Sequence, residues 1–301
     1  MGKFLVKIWV FVGIIFLICV CLLAGIPANK AHYVYAHRIK MDMLDSVPSP
    51  RLVFLAGSSI AFGLDSRMIQ DSLGIRVVNT GVHAGIGLKF MLDEVLPRLR
   101  EGDILVLMPE YEHFYSKFEG SSSGALTSAV MYSKCRTLKT FSVKQLYNFL
   151  EGIPIHIRDN IFRGSGGYSA LNFNEYGDET RHWGFEGKKV RATRIDGDID
   201  FRAVEYCIEA RDELKERGIR MVFLPPIDIE SHLQMNKGKV DAIYREMAVR
   251  GMAYEKEPES MTVPDSLAYD SHDHVTRAGV IIESHRLIDY LRLRLVLPPV
   301  E

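Results

Sequence analysis

Five short apolar runs alternate along this chain with segments whose apolar residues recur at helical spacing. A strand that helices cover on both faces of a parallel sheet reads as such a continuous apolar run. The runs cover residues 52–56, 75–79, 104–108, 219–224 and 252–254. This alternation predicts an α/β fold, a three-layer α/β/α sandwich around a parallel, flavodoxin-like sheet of about five strands.

The segments between these runs carry the signals of helices. Apolar residues recur at three- and four-residue intervals over 88–100, which is typical of one helix face. Asp200 precedes a helix that we expect to end at Gly218, because Asp is a favoured N-cap and Gly a favoured stop. Further helices are predicted near 65–72, 237–250 and 280–291.

The alternation is interrupted at about 113–195, where two stretches rich in Gly and Ser surround a helical segment near 143–150. We interpret this region as an insertion over the edge of the sheet rather than as a separate domain. The sequence thus divides into a predicted membrane anchor at 1–27, a connector at 28–50 and an α/β domain at 51–301.

The segment 8–26 contains no charged residue and is rich in large apolar side chains. A helix needs about 20 apolar residues to cross a bilayer, so this segment predicts a single-pass membrane helix. A cleaved signal peptide is the alternative, although its apolar region is usually shorter. Because the tail before the segment is short and carries Lys3 and Lys7, we expect the α/β domain to lie in the periplasm or outside the cell.

Composition narrows the class of function. Of 301 residues, 47% are hydrophobic and 25% are charged, as in a globular protein with a sizeable core. The net charge of −1 gives no reason to expect a nucleic-acid partner. The four cysteines have no metal-binding spacing, and His272-x-His274 lacks a third spaced ligand. Neither a metal nor another cofactor is predicted.

A serine turn follows the first predicted strand. Gly57-Ser58-Ser59 comes after the run 52–56, and open α/β sheets bind ligands at the carboxyl ends of their strands. A serine hydroxyl becomes a nucleophile when a base, usually a His oriented by a carboxylate, takes its proton. Ser59 is the predicted nucleophile, His274 the predicted base and Asp270 its predicted partner. The non-catalytic alternative is that the serines of this Gly-Ser-Ser turn only cap the N-terminus of a helix.

The order of the motifs resembles the SGNH (GDSL-like) hydrolase superfamily. The motifs are Gly57-Ser58-Ser59, then Asn79-x-Gly81-x-x-x-Gly85, then His274-Val275-Thr276-x-x-Gly279. They are most similar to the membrane-anchored envelope branch, which includes the D-alanine transfer protein of teichoic acid synthesis and the alginate O-acetyltransferases. The resemblance implies Ser59 as nucleophile and His274 as base. It also implies that the N–H groups of Gly85 and Ser59 hold the oxyanion.

Three further residues complete the predicted oxyanion and substrate contacts, namely Gly81, Ser58 and Glu110. Glu110 and Glu112 follow the third predicted strand, where they could be an acid–base pair, part of a solvated loop, or an anchor for the insertion. The superfamily has an Asn donor near this place, where the chain reads Met-Pro-Glu-Tyr-Glu over 108–112. The envelope branch also tends to lack this Asn. Its absence therefore argues more against a generic SGNH esterase than against a member of the envelope branch.

The carboxylate partner of the predicted base also departs from the family pattern. The superfamily places an Asp three residues before the His, and this chain has Ser271 there. We favour Asp270 over Asp273, because a residue beside the His in an extended loop points the other way. A dyad of Ser59 and His274 without a carboxylate is the open alternative.

The resemblance implies a membrane-anchored serine esterase or O-acyltransferase. Its expected substrate is a cell-envelope glycan or lipid-linked glycan, on which it acts through an acyl-Ser59 intermediate by hydrolysis or by transfer, and an integral-membrane acyltransferase is a candidate partner. The alternative is a non-catalytic envelope protein that keeps the fold as a scaffold or binding domain. The missing Asn and the displaced Asp favour that alternative, and labelling of the serine by a fluorophosphonate probe separates the two.

Overall fold

A computed structural model describes residues 27–295, apart from 122, 134–136 and 163–167, together with scattered residues before 27. Its strands are β1 (Arg51–Leu55), β2 (Arg76–Asn79), β3 (Ile104–Leu107), β4 (Arg220–Phe223), β5 (Asp228–Ile229), β6 (Thr262–Val263), β7 (Ala268–Ser271) and β8 (His274–Val275). Its helices are α1 (Tyr35–Ser46), α2 (Ser58–Ala61), α3 (Ser66–Leu73), α4 (Leu88–Val95), α5 (Ala125–Tyr132), α6 (Val143–Glu151), α7 (Ile153–Phe162), α8 (Phe201–Glu216), α9 (Glu230–Val249) and α10 (Arg277–Arg294).

The main sheet is parallel, and its strand order is β2-β1-β3-β4 within the described part of the chain. Val53 of β1 lies opposite Val78 on one side and Leu105 on the other. The order is that of the flavodoxin-like sheet, which starts 2-1-3-4. The α/β class, the parallel sheet and four of the predicted strands are therefore confirmed.

Side chains of alternate residues in β1 enter two different apolar layers. Val53 and Leu55 pack with residues of α1, α4, α8 and α9 on one face. Leu52 and Phe54 pack with residues of α3 and α10 on the other face. All four side chains are buried, because helices exclude water from both faces of the sheet. This arrangement is consistent with the predicted three-layer sandwich.

The predicted fifth strand at 252–254 is wrong. These residues form no strand, and the described main sheet ends at β4. Tyr254 instead stacks its ring on Phe223 of β4 at 4.1 Å, and the N–H of Glu255 donates to the Phe223 carbonyl. The segment is apolar because it packs over the end of β4. It is not a strand, because one backbone hydrogen bond to β4 does not form a ladder.

The helix predictions hold with shifted ends. Asp200 caps α8 by accepting from the N–H of Arg202, and Gly218 follows the helix with a φ of 68°. The helix predicted over 88–100 ends as α4 at Val95, because Pro97 cannot continue the hydrogen-bond ladder and a 3₁₀ turn takes over. The helix α9 begins at Glu230, seven residues before the predicted start at 237.

The segment 28–50 contains α1, which two buried cations fasten to the sheet. Lys40 donates to the carbonyl of Gly81, and its ammonium lies 4.2 Å from the ring centroid of Phe173. Arg51 is fully buried at the start of β1 and pairs with Asp103 at 2.7 Å. The guanidinium of Arg51 also donates to carbonyls at the end of α1. The segment before the sheet is thus packed onto it.

The region predicted as an insertion contains α5, α6 and α7 and is joined to the sheet by a buried carboxylate. Asp178 accepts from the N–H and the hydroxyl of Ser66 and from the amide of Asn79. Its own turn is closed by Asn174, whose side-chain oxygen accepts from the N–H groups of Tyr176 and Asp178. This network fixes the turn after β2, where one of the sequence motifs begins.

No helix among the described residues is long and apolar enough to cross a membrane. The predicted membrane helix at 8–26 falls for the most part outside those residues.

The carboxyl of Glu283 makes the stability of this fold depend on pH. Glu283 is fully buried on α10 and pairs with Arg286. Burial raises the pKa of this carboxyl from 4.5 to about 7, although Arg286 and Lys256 lower it in part. Between pH 4.5 and 7 the folded state keeps a proton that the unfolded state has lost. The free energy of unfolding therefore falls as the pH rises through this window, by about 3 kcal/mol.

Glu283→Gln removes this titration, so its free energy of unfolding should vary less with pH than that of the wild type. Urea unfolding at several pH values between 4.5 and 7 measures the difference. Glu259→Gln, at an exposed side chain, is the matched control and should keep the wild-type slope. Equal slopes in the wild type and Glu283→Gln would contradict the prediction.

Candidate active site

The serine turn lies at the carboxyl edge of the sheet, as predicted. β1 ends at Leu55, and α2 begins at Ser58 after the bend at Gly57. A Cβ on Gly57 would lie 2.6 Å from the backbone nitrogen of Ala84 and 2.7 Å from Oε1 of Glu110. Only Gly allows the chain segments that follow β1, β2 and β3 to approach so closely here.

Ser59, the predicted nucleophile, is not among the residues that line the cavity described below. Its side chain is fully buried, and its hydroxyl donates to Oε1 of Glu110 at 2.8 Å. Its N–H donates to the same oxygen at 3.0 Å, while the N–H of Gly57 donates to Oε2 at 2.8 Å. Glu110, predicted to contact substrate, lines the cavity and also anchors the serine turn through three hydrogen bonds.

Ser58, rather than Ser59, is the serine that lines the cavity. Its Oγ donates to Oδ2 of Asp273 at 3.0 Å, and its side chain lines the cavity. Successive residues of a helix point about 100° apart, so only one of two adjacent serines in the first turn can face outward. The sequence identified the turn correctly and assigned the wrong serine to the cavity.

The cavity has a volume of about 230 Å³ and opens between the sheet edge, the hairpin of β7 and β8, and Tyr168. Its lining combines serine, histidine and carboxylate side chains with two tyrosines. The lining residues are Tyr33, Ser58, His83, Ala84, Glu110, Glu112, Lys117, Tyr168, Ser271, His272, Asp273 and His274.

His274, the predicted base, lies in this cavity with Asp270 as its neighbour. Its Nδ1 is 2.9 Å from Oδ1 of Asp270, and its ring stacks on Phe62 at 4.0 Å. Tyr168 donates its hydroxyl to the same carboxylate. Burial raises the pKa of Asp270, but the hydrogen bonds from His274 and Tyr168 outweigh it and leave that pKa below its ordinary value.

The second nitrogen of His274 is aimed into the cavity. Nε2 is buried, has no hydrogen-bond partner in the described part of the chain, and lies 3.9 Å from Oδ1 of Asp273. A proton on Nδ1, held by Asp270, leaves the lone pair of the neutral ring on Nε2. Neither Ser58 nor Ser59 hydrogen-bonds to this ring; Ser58 and Nε2 instead approach the same carboxylate, that of Asp273.

Asp273 was expected to point away from His274, and it does not. His272 and Asp273 form the turn of the hairpin between β7 and β8 rather than an extended strand. The turn brings the carboxylate into the cavity, where it accepts from the hydroxyls of Ser58 and Ser271. Burial raises the pKa of Asp273, but His274, His272 and these hydroxyls together hold it far below its ordinary value. Asp273 is therefore a carboxylate beside both Ser58 and His274.

The predicted oxyanion donors are already engaged. The N–H of Gly85 donates to Nδ1 of His83 at 2.9 Å, and that of Gly81 donates to the side chain of Asn79 at 3.0 Å. Ser59 N–H is held by Glu110, as described above. By contrast, the N–H groups of Ser58 and Ala84 find no acceptor among the described residues, and both residues line the cavity.

Sequence reasoning missed Ala84 and Tyr168 altogether. Tyr168 lies in the region predicted as an insertion, more than one hundred positions from the histidine that it contacts. The distance between its hydroxyl and Nδ1 of His274 is 3.4 Å. No local pattern marks such a residue. Ala84 lies inside the Gly-rich turn after β2, and its position between Gly81 and Gly85 was the available signal.

Comparison with models of known protein families, with curated proteins and with solved structures found no match to this chain. The resemblance to the SGNH superfamily therefore rests on the short motifs.

Removal of the Glu110 carboxylate should destabilise the fold. Glu110→Ala leaves the N–H groups of Gly57 and Ser59 and the Ser59 hydroxyl buried without an acceptor, which should lower the free energy of unfolding by about 3 kcal/mol or more. Glu110→Gln keeps one acceptor oxygen and should lose less. Ser59→Ala, which removes one donor only, should cost about 1 kcal/mol.

Urea unfolding of the three variants checks this ranking. A Glu110→Ala protein as stable as Ser59→Ala would show that the carboxylate does not organise the serine turn.

Proposed function

We propose that this protein is a serine-dependent acyl-ester enzyme in which Ser58 is the nucleophile. One observation carries the proposal. Of two adjacent serines, the one that lines the cavity shares the Asp273 carboxylate with His274, since Ser58 Oγ and His274 Nε2 both approach it, and Nδ1 of His274 is fixed by Asp270. A serine, a histidine and an orienting carboxylate are the parts that acyl transfer requires.

In the first step Ser58 Oγ forms a bond to the acyl carbon, and its proton passes to Nε2 of His274. The Ser58 hydroxyl must turn from Asp273 toward Nε2 to do so, and such contacts tighten when substrate binds. Asp270 holds the proton on Nδ1, so that the ring accepts at Nε2. Asp273, 3.9 Å from Nε2, lies where its charge stabilises the imidazolium that forms.

The carbonyl oxygen becomes an oxyanion in this step and needs hydrogen-bond donors. The N–H groups of Ser58 and Ala84 are the donors that we assign to it, in place of Gly85 and Ser59. The oxyanion then collapses to a carbonyl, the bond between the acyl carbon and the leaving oxygen breaks, and the imidazolium gives its proton to that oxygen. An alcohol leaves, and the acyl group remains on Ser58. Water or a sugar hydroxyl resolves this intermediate, with His274 again as base, and the two acceptors distinguish a hydrolase from a transferase.

The substrate class follows from the resemblance and from the apolar segment at 8–26. We propose that this segment anchors the protein in a membrane as a single span, with the α/β domain on the periplasmic or outer side. A cell-envelope glycan or lipid-linked glycan is then the substrate, O-acetyl the acyl group, and an integral-membrane acyltransferase a candidate donor partner. These assignments rest on family analogy.

One feature of the described chain supports a position at a membrane surface. Exposed apolar side chains recur along α6 at Val143, Tyr147 and Leu150, and Phe162 is exposed at the end of α7. The chain that leaves 8–26 is fastened to this helix pair, since the N–H of Asn29 donates to Asn160 of α7 at 2.9 Å. Apolar helix faces beside an anchor are suited to the bilayer interface.

A second candidate is a non-catalytic protein that binds its ligand in the cavity. It is favoured by the hydrogen bond of Ser58, which goes to Asp273 and not to His274. In that case the cavity recognises hydroxyl groups of a glycan through its carboxylates and histidines, and no acyl-enzyme forms.

The adjacent serines allow a matched test with a fluorophosphonate probe, which labels activated serines. The wild type and Ser59→Ala should be labelled, and folded Ser58→Ala should not, because only the Ser58 hydroxyl reaches the cavity. Loss of labelling in Ser59→Ala alone would overturn the assignment. An unlabelled but folded wild type would favour the binding protein. Acetate release from an acetylated glycan, against acetyl gain on an acceptor, then separates hydrolase from transferase.

The Asp270 carboxylate should be needed for the rate. Asp270→Asn no longer accepts the proton of Nδ1 and favours the wrong tautomer of His274, so we expect kcat for p-nitrophenyl acetate to fall by about 10²–10⁴-fold. Tyr168→Phe leaves the carboxylate in place and should cost less than about tenfold. An unchanged kcat in Asp270→Asn would show that His274 does not require the Asp270 carboxylate for catalysis.

A further inference from the structure

Beside the serine cavity lies a cluster of three potential metal ligands, Glu112, His232 and His272. Glu112 follows β3, His232 lies in the first turn of α9, and His272 forms the turn of the β7–β8 hairpin. One ligand atom from each residue lies within 4.8 Å of the others. Glu112 and His272 also line the cavity. The cluster is formed by three elements that are far apart in sequence.

One carboxylate orients both histidines. Oδ2 of Asp228 is 2.7 Å from Nδ1 of His232, and Oδ1 is 3.1 Å from Nδ1 of His272. The two rings stack at 3.7 Å with an angle of 14° between their planes. With both Nδ1 atoms turned to Asp228, both Nε2 atoms point away from it on the same side. Histidines that bind metals are held in this way, with the second nitrogen on a carboxylate.

The nitrogen of His232 on that side has no partner. His232 has a side chain that is 1% exposed, and its Nε2 makes no hydrogen bond in the described part of the chain. A buried polar atom without a partner costs free energy, and a ligand on this side would offset that cost. Oε1 of Glu112 lies 3.2 Å from Nε2 of His272. A carboxylate oxygen is therefore close to the Nε2 atoms of both histidines.

We propose that Glu112, His232 and His272 bind a divalent transition metal of the zinc class, with Asp228 as the carboxylate that orients both histidines. Two imidazole nitrogens and one carboxylate oxygen are a common ligand set for zinc, and a site with three protein ligands keeps a fourth position for water or substrate. Glu112 and His272 line the cavity, so a metal held by them would be reachable from it. The metal takes the place of the contact between His272 and Glu112.

This site was not predicted from the sequence. The only histidine pair that the sequence suggested as metal ligands was His272-x-His274. His274 is held by Asp270 instead, and the partner of His272 is His232, forty positions earlier. The metal site does not depend on acyl chemistry at Ser58. The competing account is a buried ion pair, in which a protonated His272 bridges Glu112 and Asp228 and no metal binds.

Zinc titration of the chelator-treated full chain against a chromophoric competitor tests the proposal. We expect one zinc per chain in the wild type and at least a hundredfold weaker binding in His232→Gln and Glu112→Gln. Asp228→Asn should weaken binding by about 10–100-fold. His285→Ala, an exposed histidine on α10, is the matched control and should bind as the wild type does. Circular dichroism of each variant shows that it is folded.

Two outcomes would overturn the site. A folded wild type without stoichiometric zinc supports the ion pair, and equal affinity in His232→Gln places the metal elsewhere. Ser58→Ala should keep its zinc, so that a failure of the acyl chemistry and a failure of the metal site are separate results. The cobalt-substituted wild type should show the absorption of a four-coordinate site, and folded His232→Gln should lose it.

Discussion

The buried carboxylate of Glu110, at the edge of the sheet, makes the contacts on which the site depends. It receives the N–H groups of Gly57 and Ser59 and the hydroxyl of Ser59, and so joins the end of β1 to the segment after β3. Because it engages Ser59, the other serine of the pair is the one that the helix turns outward. The choice between two identical side chains is thus made by an acid from the segment that follows another strand, β3.

Carboxylates play the same orienting part throughout this edge of the molecule. Asp270 fixes the ring of His274, Asp228 fixes the rings of His232 and His272, and Asp178 fixes the turn after β2. Each of these acids is at least partly buried, where hydrogen bonds are strong and unpaired groups are costly. The arrangement positions the donor and acceptor atoms of the cavity before any ligand enters.

Asp273 lies between the two proposed centres. It accepts from Ser58, lies near Nε2 of His274 and is adjacent in sequence to His272. The hairpin of β7 and β8 therefore supplies residues both to the proposed acyl site and to the proposed metal site. A single short turn, held by the antiparallel pairing of Ser271 and His274, couples the geometry of the two.

The sequence by itself determined the layers of this protein. Continuous apolar runs predicted four strands of the parallel sheet, helical spacing predicted the helices that cover it, and the Gly-Ser-Ser turn and His274 marked the edge where a site would form. These features are local, since they follow from which side chains must leave water. Tertiary structure alone decided that Ser58 rather than Ser59 lines the cavity, that Asp273 turns inward, and that His232 meets His272. Those outcomes depend on hydrogen bonds between residues that are distant in sequence, and no spacing along one segment encodes them.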